Sequence, residues 1–379
     1  MKNKAHNEPT LIAFYCSSIA WGGLEMNTVR YATWMQSQGY RVLMYCVANS
    51  TIHQHALQSG LQIELIPRNK KYFDFKNAYR ISKSMRAKRV SIVWFRDTRD
   101  MDTLALTKRF FNLDIPFLYQ QAMQFGVRKK DFFHTFRFRC IDAWVSTLPF
   151  LANQVRTMTN LDARKIHVVP LGVPTLANNE APPSLRAQLQ IDHTAFVLGL
   201  IGRIDPLKGQ QEALDALSLM HQSGHKMHLL FAGDNTLHEG DTYFHQLKAS
   251  IADHQLEAYV HFIGHQTNIL PFFASIDCFL MCSKSETFGT VTIEAMSQKI
   301  PIIATNSGGT PEVLDHGKCG LLYAPGDVKA LAYCILQMQG DVTMRDKMIE
   351  EGAKRYEQEF TAEISIQRMR QIVDRLITT

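Results

Sequence analysis

The sequence has few cysteines, and they are not spaced to bind a metal or to form a disulfide framework. The seven cysteines among 379 residues are scattered and odd in number, and no two form a CxxC pair. Neither a zinc site nor a set of disulfide bonds is therefore indicated. Such cysteine usage fits a reducing compartment, and we expect a cytoplasmic protein. Asp100 and Asp102 have the Asp-x-Asp spacing of a metal-binding pair but lie in the first half, away from the candidate ligand-binding loops of the second half, so we expect no essential metal or cofactor.

Long apolar runs are also missing. No stretch of 18 uninterrupted apolar residues occurs, so no transmembrane helix is expected. The apolar segment Leu11–Cys16 is short and lacks a following small-residue cleavage pattern, which favours a strand over a signal peptide. With 46% apolar residues the chain can form full cores, and its length suits two domains.

Short β-rich runs alternate with longer helical patterns along the chain. In the first half the predicted strands are Leu11–Cys16, Arg41–Val47, Gln62–Ile66, Ile92–Phe95, Pro116–Tyr119, Ala143–Ser146 and His167–Val169. In the second half they are Phe196–Ile201, His228–Ala232, Val260–Ile263, Cys278–Met281, Pro301–Ala304 and Gly320–Tyr323. This alternation predicts an α/β protein with parallel sheets flanked by helices.

A segment rich in Pro and Asn divides the two series and is interpreted as a linker. The predicted organisation is an N-terminal Rossmann-like domain over 1–172, a linker over 173–190, a second domain over 191–358 and a final helical segment over 359–379. Ligands of doubly wound sheets bind beyond the carboxyl ends of the strands, so polar residues following each strand are candidate site residues.

Two loops of the second half carry charges that suit a ligand with phosphate and hydroxyl groups. After Phe196–Ile201, Arg203 and Lys208 flank a turn with a glycine at each end, where they can clamp a diphosphate; a plain loop with solvated charges is the alternative. After Cys278–Met281, Glu286 and Glu294 lie eight residues apart, roughly 12 Å if the segment is fully helical. They can bracket an elongated, hydroxyl-rich ligand, or one can cap a helix while the other stays on the surface.

Two Gly-Gly turns complete the pattern. Gly22 and Gly23 follow the first strand, and Gly308 and Gly309 follow Pro301–Ala304, so backbone N–H groups can approach a phosphate. Neither turn is a GxGxxG or a Walker sequence, which argues against nicotinamide or P-loop chemistry.

Together these elements resemble glycosyltransferase family 4, the retaining nucleotide-sugar transferases with the GT-B fold. The resemblance covers nearly the whole chain and is strongest over Val197–Asp327, with Glu-x7-Glu, GRIDPLKG, GGT-PE, GLLYAPGD and the early GGLE as its motifs. It implies two Rossmann-like domains facing a cleft. It also implies that the last helix, around Thr361–Thr379, crosses back to the N-terminal domain.

The resemblance assigns roles to individual residues. Arg203 and Lys208 match the pair that holds the donor diphosphate, Glu286 the glutamate at the sugar hydroxyls, and Glu294 the glutamate at the ribose. The other implied donor-binding residues are Gly22, Gly23, Gly202, Gly264, His265, Phe288, Gly289 and Thr290.

The acceptor side departs from the family. The histidines common there are missing, and the corresponding segments read Trp94-Phe95-Arg96-Asp97 and Tyr119-Gln120-Gln121-Ala122-Met123. Asp97, Asp100 or Asp102 is expected to take the catalytic role, with Asp97 and Asp102 as the candidates we name. Gln120 or Gln121 then only positions sugar hydroxyls, and His134 is interpreted as an ordinary surface or packing residue.

Charge is divided unequally between the halves. Residues 1–170 carry 25 Lys and Arg against 11 Asp and Glu, whereas residues 171–379 carry 16 against 24. Nine cations fall between Arg68 and Arg89, and Arg128, Lys129 and Lys130 precede an aromatic-rich segment. Cations interleaved with aromatics suit an anionic membrane surface, a phosphorylated glycan or nucleic acid, or simply form solvated helix faces.

The resemblance implies a retaining hexosyltransferase that uses a nucleoside diphosphate sugar, most commonly UDP-linked in the family. Together with the basic first half it implies a cell-surface glycan or lipid-linked acceptor such as lipopolysaccharide core. The basic N-terminal domain is expected to meet the inner face of an anionic membrane peripherally. No nucleic-acid-binding module is visible. The alternatives are a nucleotide-sugar epimerase or a sugar-nucleotide-binding protein of the same fold that transfers nothing.

Overall fold

The computed structural model describes residues 10–70, 73–175, 183–234 and 242–378. They form two compact units: one contains the residues up to Pro170 and those from Glu363 onward, and the other extends from Leu171 to Ala362. Lys71, Thr379 and part of the predicted linker, residues 176–182, lie outside the described residues.

The first unit is built on a seven-stranded parallel sheet in the order β3-β2-β1-β4-β5-β6-β7. Its strands are β1 (Leu11–Cys16), β2 (Arg41–Val47), β3 (Gln62–Ile66), β4 (Ile92–Phe95), β5 (Phe117–Gln120), β6 (Ala143–Ser146) and β7 (Ile166–Val168). Its helices are α1 (Gly23–Ser37), α2 (Thr51–Gln58), α3 (Phe75–Ala87), α4 (Thr98–Phe110), α5 (Phe132–Phe138) and α6 (Pro149–Met158).

The second unit has a six-stranded parallel sheet in the order β10-β9-β8-β11-β12-β13. Its strands are β8 (Phe196–Ile201), β9 (Met227–Ala232), β10 (Val260–Phe262), β11 (Cys278–Met281), β12 (Ile302–Thr305) and β13 (Leu321–Tyr323). Its helices are α7 (Gln210–Gln222), α8 (Thr242–Asp253), α9 (Leu270–Phe273), α10 (Thr290–Ser297), α11 (Thr310–Val313), α12 (Val328–Gly340) and α13 (Val342–Arg355).

A π-helical turn, Tyr356–Phe360, leads from α13 to α14 (Ala362–Thr378). From Glu363 onward α14 belongs to the first unit, where the Ser365 hydroxyl lies 2.6 Å from the Tyr31 hydroxyl of α1 and donates to the Pro170 carbonyl. The predicted helical character of the C-terminal region is confirmed over the described residues.

All thirteen predicted strands are present, and the predicted α/β fold of two Rossmann-like domains is confirmed. Three of them, β5, β12 and β13, begin one residue later than expected, after Pro116, Pro301 and Gly320. Proline has no N–H for the ladder, but the Pro116 carbonyl still accepts from Val93 N (3.0 Å) and the Pro301 carbonyl from Phe279 N (2.9 Å).

The boundaries of the units differ from the predicted domain limits. The first unit ends at Pro170, two residues before the predicted limit of 172. Residues 184–190, included in the predicted linker, pack within the second unit. There Arg186 donates to Ser275 O (3.0 Å) and pairs with Asp277 (2.6 Å), because its guanidinium can satisfy several acceptors at once.

Each unit has its own hydrophobic core formed by its sheet and the helices packed on it. In the first unit the fully buried Trp94 and Trp144 anchor the two faces of the sheet; in the second, Phe231, Phe272 and Phe273 are comparably buried. No helix among the described residues combines the length and apolar character needed to span a bilayer.

Candidate functional site

The loop after β8 presents the two predicted diphosphate cations. Asp205 begins a single 3₁₀ turn, Pro206–Lys208, by accepting from Leu207 N (2.8 Å) through its side chain. Lys208 ends that turn, whereas Arg203 lies before it with its side chain 64% exposed and 3.5 Å from Asp205. The loop therefore holds one cation close to the protein and leaves the other directed into solvent.

Gly209 allows this loop to lie directly against the end of β11. Its φ is +77°, and a Cβ atom at this position would come within 2.1 Å of the Cys282 carbonyl oxygen. Only glycine adopts this backbone conformation without strain and leaves room for that carbonyl. The close approach brings the β8 loop next to the loop that begins at Cys282.

Lys208 and Glu286 meet across these two loops. Lys208 Nζ lies 2.8 Å from Glu286 Oε2, although the residues are 78 positions apart in the sequence. Their side chains are 28% and 21% exposed, so the pair is partly desolvated but open to solvent on one side. A cation able to engage a phosphate therefore lies within hydrogen-bond distance of a carboxylate able to accept from sugar hydroxyls.

The Glu286 loop is supported from behind by the second Gly-Gly turn. Gly309 N donates to the Glu286 carbonyl (2.8 Å), and Gly308, at φ +61°, approaches it so closely that a Cβ would lie 2.3 Å from the same oxygen. GGT-PE thus fixes the backbone that carries Glu286. The turn was expected to present its N–H groups to a ligand, but Gly309 N is already engaged by the protein.

Helix α10 begins where the Glu286 loop ends. Gly289 is its N-cap and Thr290 its first residue, so the free N–H groups of the first turn form an anion-favouring end. Phe288 is buried against Phe360, with ring centroids 6.0 Å apart, and contributes packing. Glu294 is half-buried on α10 and has interaction partners within the protein.

Gly264 and His265 follow β10, the outermost strand on the other side of β8 and β9 in the same sheet. Gly233 N donates to the Gly264 carbonyl (2.8 Å), and the Asp234 carboxylate accepts from His265 N (2.9 Å). Ile204 N donates to the Asp234 carbonyl (2.9 Å), which joins this loop to the β8 loop. Sequence reasoning missed Asp234, although its place after β9 was the signal already used for the other loops.

In the first unit the two glycines after β1 begin α1. Gly22 is the N-cap, and neither Gly22 nor Gly23 has a positive φ. A Cβ at Gly22 would lie 3.6 Å from the Glu25 carboxylate, and one at Gly23 would meet no described atom within 4 Å. The backbone conformation therefore does not require these glycines, in contrast to Gly209.

The three candidate acceptor-side aspartates have different environments. Asp97 caps α4, accepting from Arg99 N (2.9 Å) and pairing with the Arg99 guanidinium (2.6 Å). Asp102 pairs with Arg137 (2.6 Å) and is partly exposed. Both predicted catalytic carboxylates are thus engaged by an arginine, and their catalytic role stays a prediction.

Asp100 is fully buried under the β1 loop. It accepts from Ser17 N (3.2 Å), from the Ser17 hydroxyl and from Asn69 Nδ2 (3.0 Å). Desolvation raises the pKa of Asp100 to about 7, and the charge of Asp97 acts in the same direction. Asp100 therefore changes its protonation state close to pH 7.

A cavity of about 760 Å³ opens beside these residues in the first unit. Its lining combines cationic side chains with aromatic rings, namely Arg68, Lys70, Arg99, Arg137, Phe73, Phe133 and Phe136, together with Ser17, Asp102 and His134. His134 also bonds to Asp131, so its Nδ1 has a protein partner. The cavity suits a ligand with both anionic and apolar parts.

Five phenylalanines form an exposed cluster next to this cavity, which we call the aromatic surface. They are Phe73, Phe75, Phe110, Phe132 and Phe133, between 42% and 77% exposed. Ring contacts of 5.3–6.4 Å connect them. Exposed cations border the cluster in sequence, namely Lys76, Arg80, Arg109, Arg128 and Lys130.

Comparison with known proteins shows the family. The model named Glycosyltransferase Family 4 matches residues 21–175, and the model named Glycosyl transferases group 1 matches residues 183–355. Together they span most of the chain, one in each unit. The chain belongs to the family 4-like glycosyltransferases of the GT-B type, as its motifs predicted.

Two curated relatives are similar to parts of the chain. The capsular polysaccharide biosynthesis glycosyltransferase CapM of Staphylococcus aureus is 28% identical over 173 residues, 45% of this chain and 43% of CapM. The lipopolysaccharide core biosynthesis glycosyltransferase LpsE of Rhizobium meliloti is 29% identical over 178 residues, 47% of this chain and 49% of LpsE. The chain thus spans about half the length of the curated relatives it matches.

Solved structures share the fold over nearly the whole chain. Anabaena HepE, solved in complex with UDP and glucose, superposes with a TM-score of 0.79 at 21% identity, covering 96% of this chain and 99% of the HepE chain. At that identity the likeness establishes the GT-B fold alone.

Proposed function

We propose that this protein is a retaining hexosyltransferase that uses a nucleoside diphosphate sugar, UDP-linked, and a cell-surface glycan or lipid-linked acceptor such as lipopolysaccharide core. The observation that carries the proposal is the Lys208–Glu286 pair, which two glycine-supported loops hold at the carboxyl edge of the second sheet. The resemblance to CapM and LpsE supports a glycan acceptor. The fold shared with UDP-bound HepE supports the donor.

In the proposed donor complex the diphosphate engages Lys208, Arg203 and the N-terminal turn of α10. Arg203 is exposed and weakly held by Asp205 at 3.5 Å, so it is free to fold onto a phosphate. Glu286 accepts from hexose hydroxyls, and Glu294 accepts from the ribose hydroxyls. Gly202, Gly264 and His265 border the nucleotide from the neighbouring strand ends.

Transfer then follows a front-face course. The bond between the anomeric carbon and the donor phosphate oxygen breaks, and the acceptor hydroxyl oxygen bonds the same face of that carbon. The hydroxyl proton passes to the departing diphosphate oxygen, so no separate base is needed. Lys208, Arg203 and the α10 end stabilise the developing charge, and we propose that the reaction needs no essential metal.

The first unit supplies the acceptor side of the proposal. The cavity beside Asp102 accepts an amphiphilic acceptor, because its lining pairs guanidinium groups with phenyl rings. The aromatic surface rests on an anionic bilayer, with rings such as Phe132 and Phe133 at the headgroup level and the bordering cations on the phosphates. The protein thereby acts as a peripheral enzyme at the inner face of the membrane.

The direct test follows UDP release and the sugar product together. Full-length protein is incubated with a panel of UDP-hexoses and with detergent-dispersed glycolipid, and UDP and glycan are quantified. UDP release that depends on glycolipid and yields a glycan with the donor's anomeric configuration supports the proposal. Isomerised UDP-hexose without transfer would establish an epimerase instead, and binding without turnover would establish a non-transferring protein.

The matched variant pair uses Glu286. Glu286→Ala should weaken UDP-glucose binding but leave UDP binding within about twofold, because the carboxylate is assigned to the sugar and not to the nucleotide. Glu350→Ala, which removes an exposed carboxylate on α13 of the same unit, is the control and should leave both affinities unchanged. Equal loss of UDP and UDP-glucose binding in Glu286→Ala would contradict the assignment.

A further inference from the structure

Arg96, immediately after β4 in the first unit, is a buried cation with no salt-bridge partner among the described residues. Its side chain is 3% exposed in a position where arginine is rarely tolerated unpaired. Within the described part of the chain, neither Nε nor Nη1 of Arg96 has a hydrogen-bond partner. Its strongest electrostatic influences are Tyr31, Tyr119, Cys16 and Arg30, none of which is a carboxylate.

Burial shifts the pKa of Arg96, because no carboxylate among the described residues compensates for the lost hydration. It lowers the pKa of Arg96 to about 10, although arginine normally stays charged at any accessible pH. The charge persists at neutral pH, so the fold carries a buried guanidinium that nothing in the described protein neutralises. Unpaired buried charges are costly, and such a group calls for a partner such as an ordered water, an ion or a ligand.

Two further donors without partners lie on the same side of the sheet. The β4–β5 register pairs Trp94 with Leu118, and Trp94 Nε1 donates to Gln120 Oε1 (3.2 Å), so Gln120 shares the Trp94 face. Arg96 shares that face as well, because side chains alternate along a strand. Gln120 is fully buried and its Nε2 has no partner among the described residues.

Thr147 completes the set at the end of β6. The β5–β6 register pairs Gln120 with Val145, and Thr147 follows two residues later, directly after the last residue of β6. Thr147 is 1% exposed, and its hydroxyl has no partner within the described residues. Three neighbouring strands, spaced about 4.8 Å apart, thus each end in a buried donor that lacks an acceptor.

Helix α1 covers this face of the sheet. Tyr15 of β1 pairs with Phe95 of β4, so Arg96 follows one residue past that pair, level with Cys16 at the end of β1. Tyr31 of α1 contacts Trp94 on this face, with ring centroids 5.3 Å apart. The first turn of α1 carries the buried carboxylate of Glu25, which already complements the helix dipole at this edge.

We propose that Arg96, Gln120 and Thr147 form an anion subsite of the first unit that binds an acidic group, phosphate or carboxylate, on the acceptor sugar. The assignment of this acidic group to an acceptor sugar rests on the proposed function. The donor groups offered are a guanidinium, an amide NH₂ and a hydroxyl, which together match the oxygens of an acidic group. The subsite thus selects an acidic glycan over a neutral one, and it lies apart from the lining of the cavity beside Asp102.

The test titrates the full chain calorimetrically with glucose 6-phosphate, glucuronate and glucose, in phosphate-free buffer with UDP at saturation. Wild type should bind at least one of the two acids and should not bind glucose measurably. Arg96→Met should weaken that binding by about tenfold or more. Arg96→Lys should weaken it by less, because lysine keeps the charge but lacks the planar set of donors that binds two oxygens at once. Arg164→Met, which removes an exposed cation of the same unit, should behave as wild type.

The stability of Arg96→Met separates a binding role from a structural one. Removing an uncompensated buried charge should leave the melting temperature without ligand unchanged or higher, and should abolish the increase that the bound acid produces in wild type. A melting temperature well below that of Arg164→Met would show that Arg96 has a structural partner, and would overturn the proposal. Equal binding of acids and glucose, no binding of either acid, or equal affinities in wild type and Arg96→Met would also overturn it.

UDP titration separates this proposal from the proposed function. Equal UDP affinity in wild type and Arg96→Met is expected; a loss in the variant would assign the anion to the donor diphosphate and overturn the acceptor subsite. If wild type binds no sugar nucleotide but still binds an acid through Arg96, the anion subsite stands and the proposed transferase fails.

Discussion

The contact between Gly209 and Cys282 gives a prediction whose size can be worked out. Placing an alanine at the φ of +77° that Gly209 adopts lowers the free energy of unfolding by about 1 kcal/mol, because a Cβ disfavours this backbone conformation. Its Cβ would also lie 2.1 Å from a backbone oxygen, and forcing a buried group aside typically costs about 1–3 kcal/mol. Gly209→Ala should therefore lower the free energy of unfolding by about 2–4 kcal/mol.

Gly224 provides a matched control in the same unit. Its φ is +87°, but a Cβ there would meet no described atom within 4 Å, so Gly224→Ala should lose only the conformational part, about 1 kcal/mol. Urea titrations followed by circular dichroism give both values from the shift in midpoint at an unchanged slope.

The same variants test whether the close approach holds the donor site together. Displacing Cys282 moves the loop that carries Glu286 away from Lys208, so Gly209→Ala should also weaken UDP-glucose binding while Gly224→Ala should not. Equal stability losses in the two variants, or wild-type affinity in Gly209→Ala, would refute the reasoning.

Two further predictions concern the first unit. Burial raises the pKa of Asp100 to about 7, from a value near 4 in the unfolded chain. Between these pH values the folded state binds one more proton than the unfolded state, so the free energy of unfolding of the wild type falls as pH rises from about 4 to about 7. Calorimetry should show the melting temperature of Asp100→Asn, relative to wild type, higher at pH 8 than at pH 4; a pH-independent difference would contradict this. Phe133→Ser should reduce sedimentation with anionic phosphatidylglycerol vesicles severalfold relative to Tyr333→Ser, whose ring is equally exposed in the second unit, and equal sedimentation of the two would refute the membrane role.

The sheets could be predicted from sequence because their strands are short apolar runs bounded by Gly, Pro or polar residues. Every strand limit lies within one residue of the prediction. At β5 and β12 the difference arises because the carbonyls of Pro116 and Pro301 accept a ladder bond although proline has no N–H to donate. Local signals of this kind suffice for element type and for the loops that follow each strand.

Contacts between side chains that are distant in the sequence could not be predicted from these local signals. Lys208 and Glu286 were each assigned to the ligand, but their direct contact depends on how two loops 78 residues apart approach one another. The capping role of Asp97 could have been predicted, because an aspartate directly before a helical segment is a common N-cap residue. That Arg96 has no salt-bridge partner in the part of the chain that the structure describes could not be predicted, because the lack of a partner depends on every neighbouring element.

The central claim is that Lys208 holds a nucleoside diphosphate beside Glu286, and calorimetric titration with UDP and UDP-glucose tests it most directly. Lys318→Met is the matched control, because Lys318 also lies 2.8 Å from a carboxylate of the second unit, that of Asp315. We predict binding by wild type and Lys318→Met, and affinity lower by about 10- to 100-fold in Lys208→Met, as expected for one charged hydrogen bond. Absence of binding by the folded wild type, or equal affinity in Lys208→Met, would contradict the account.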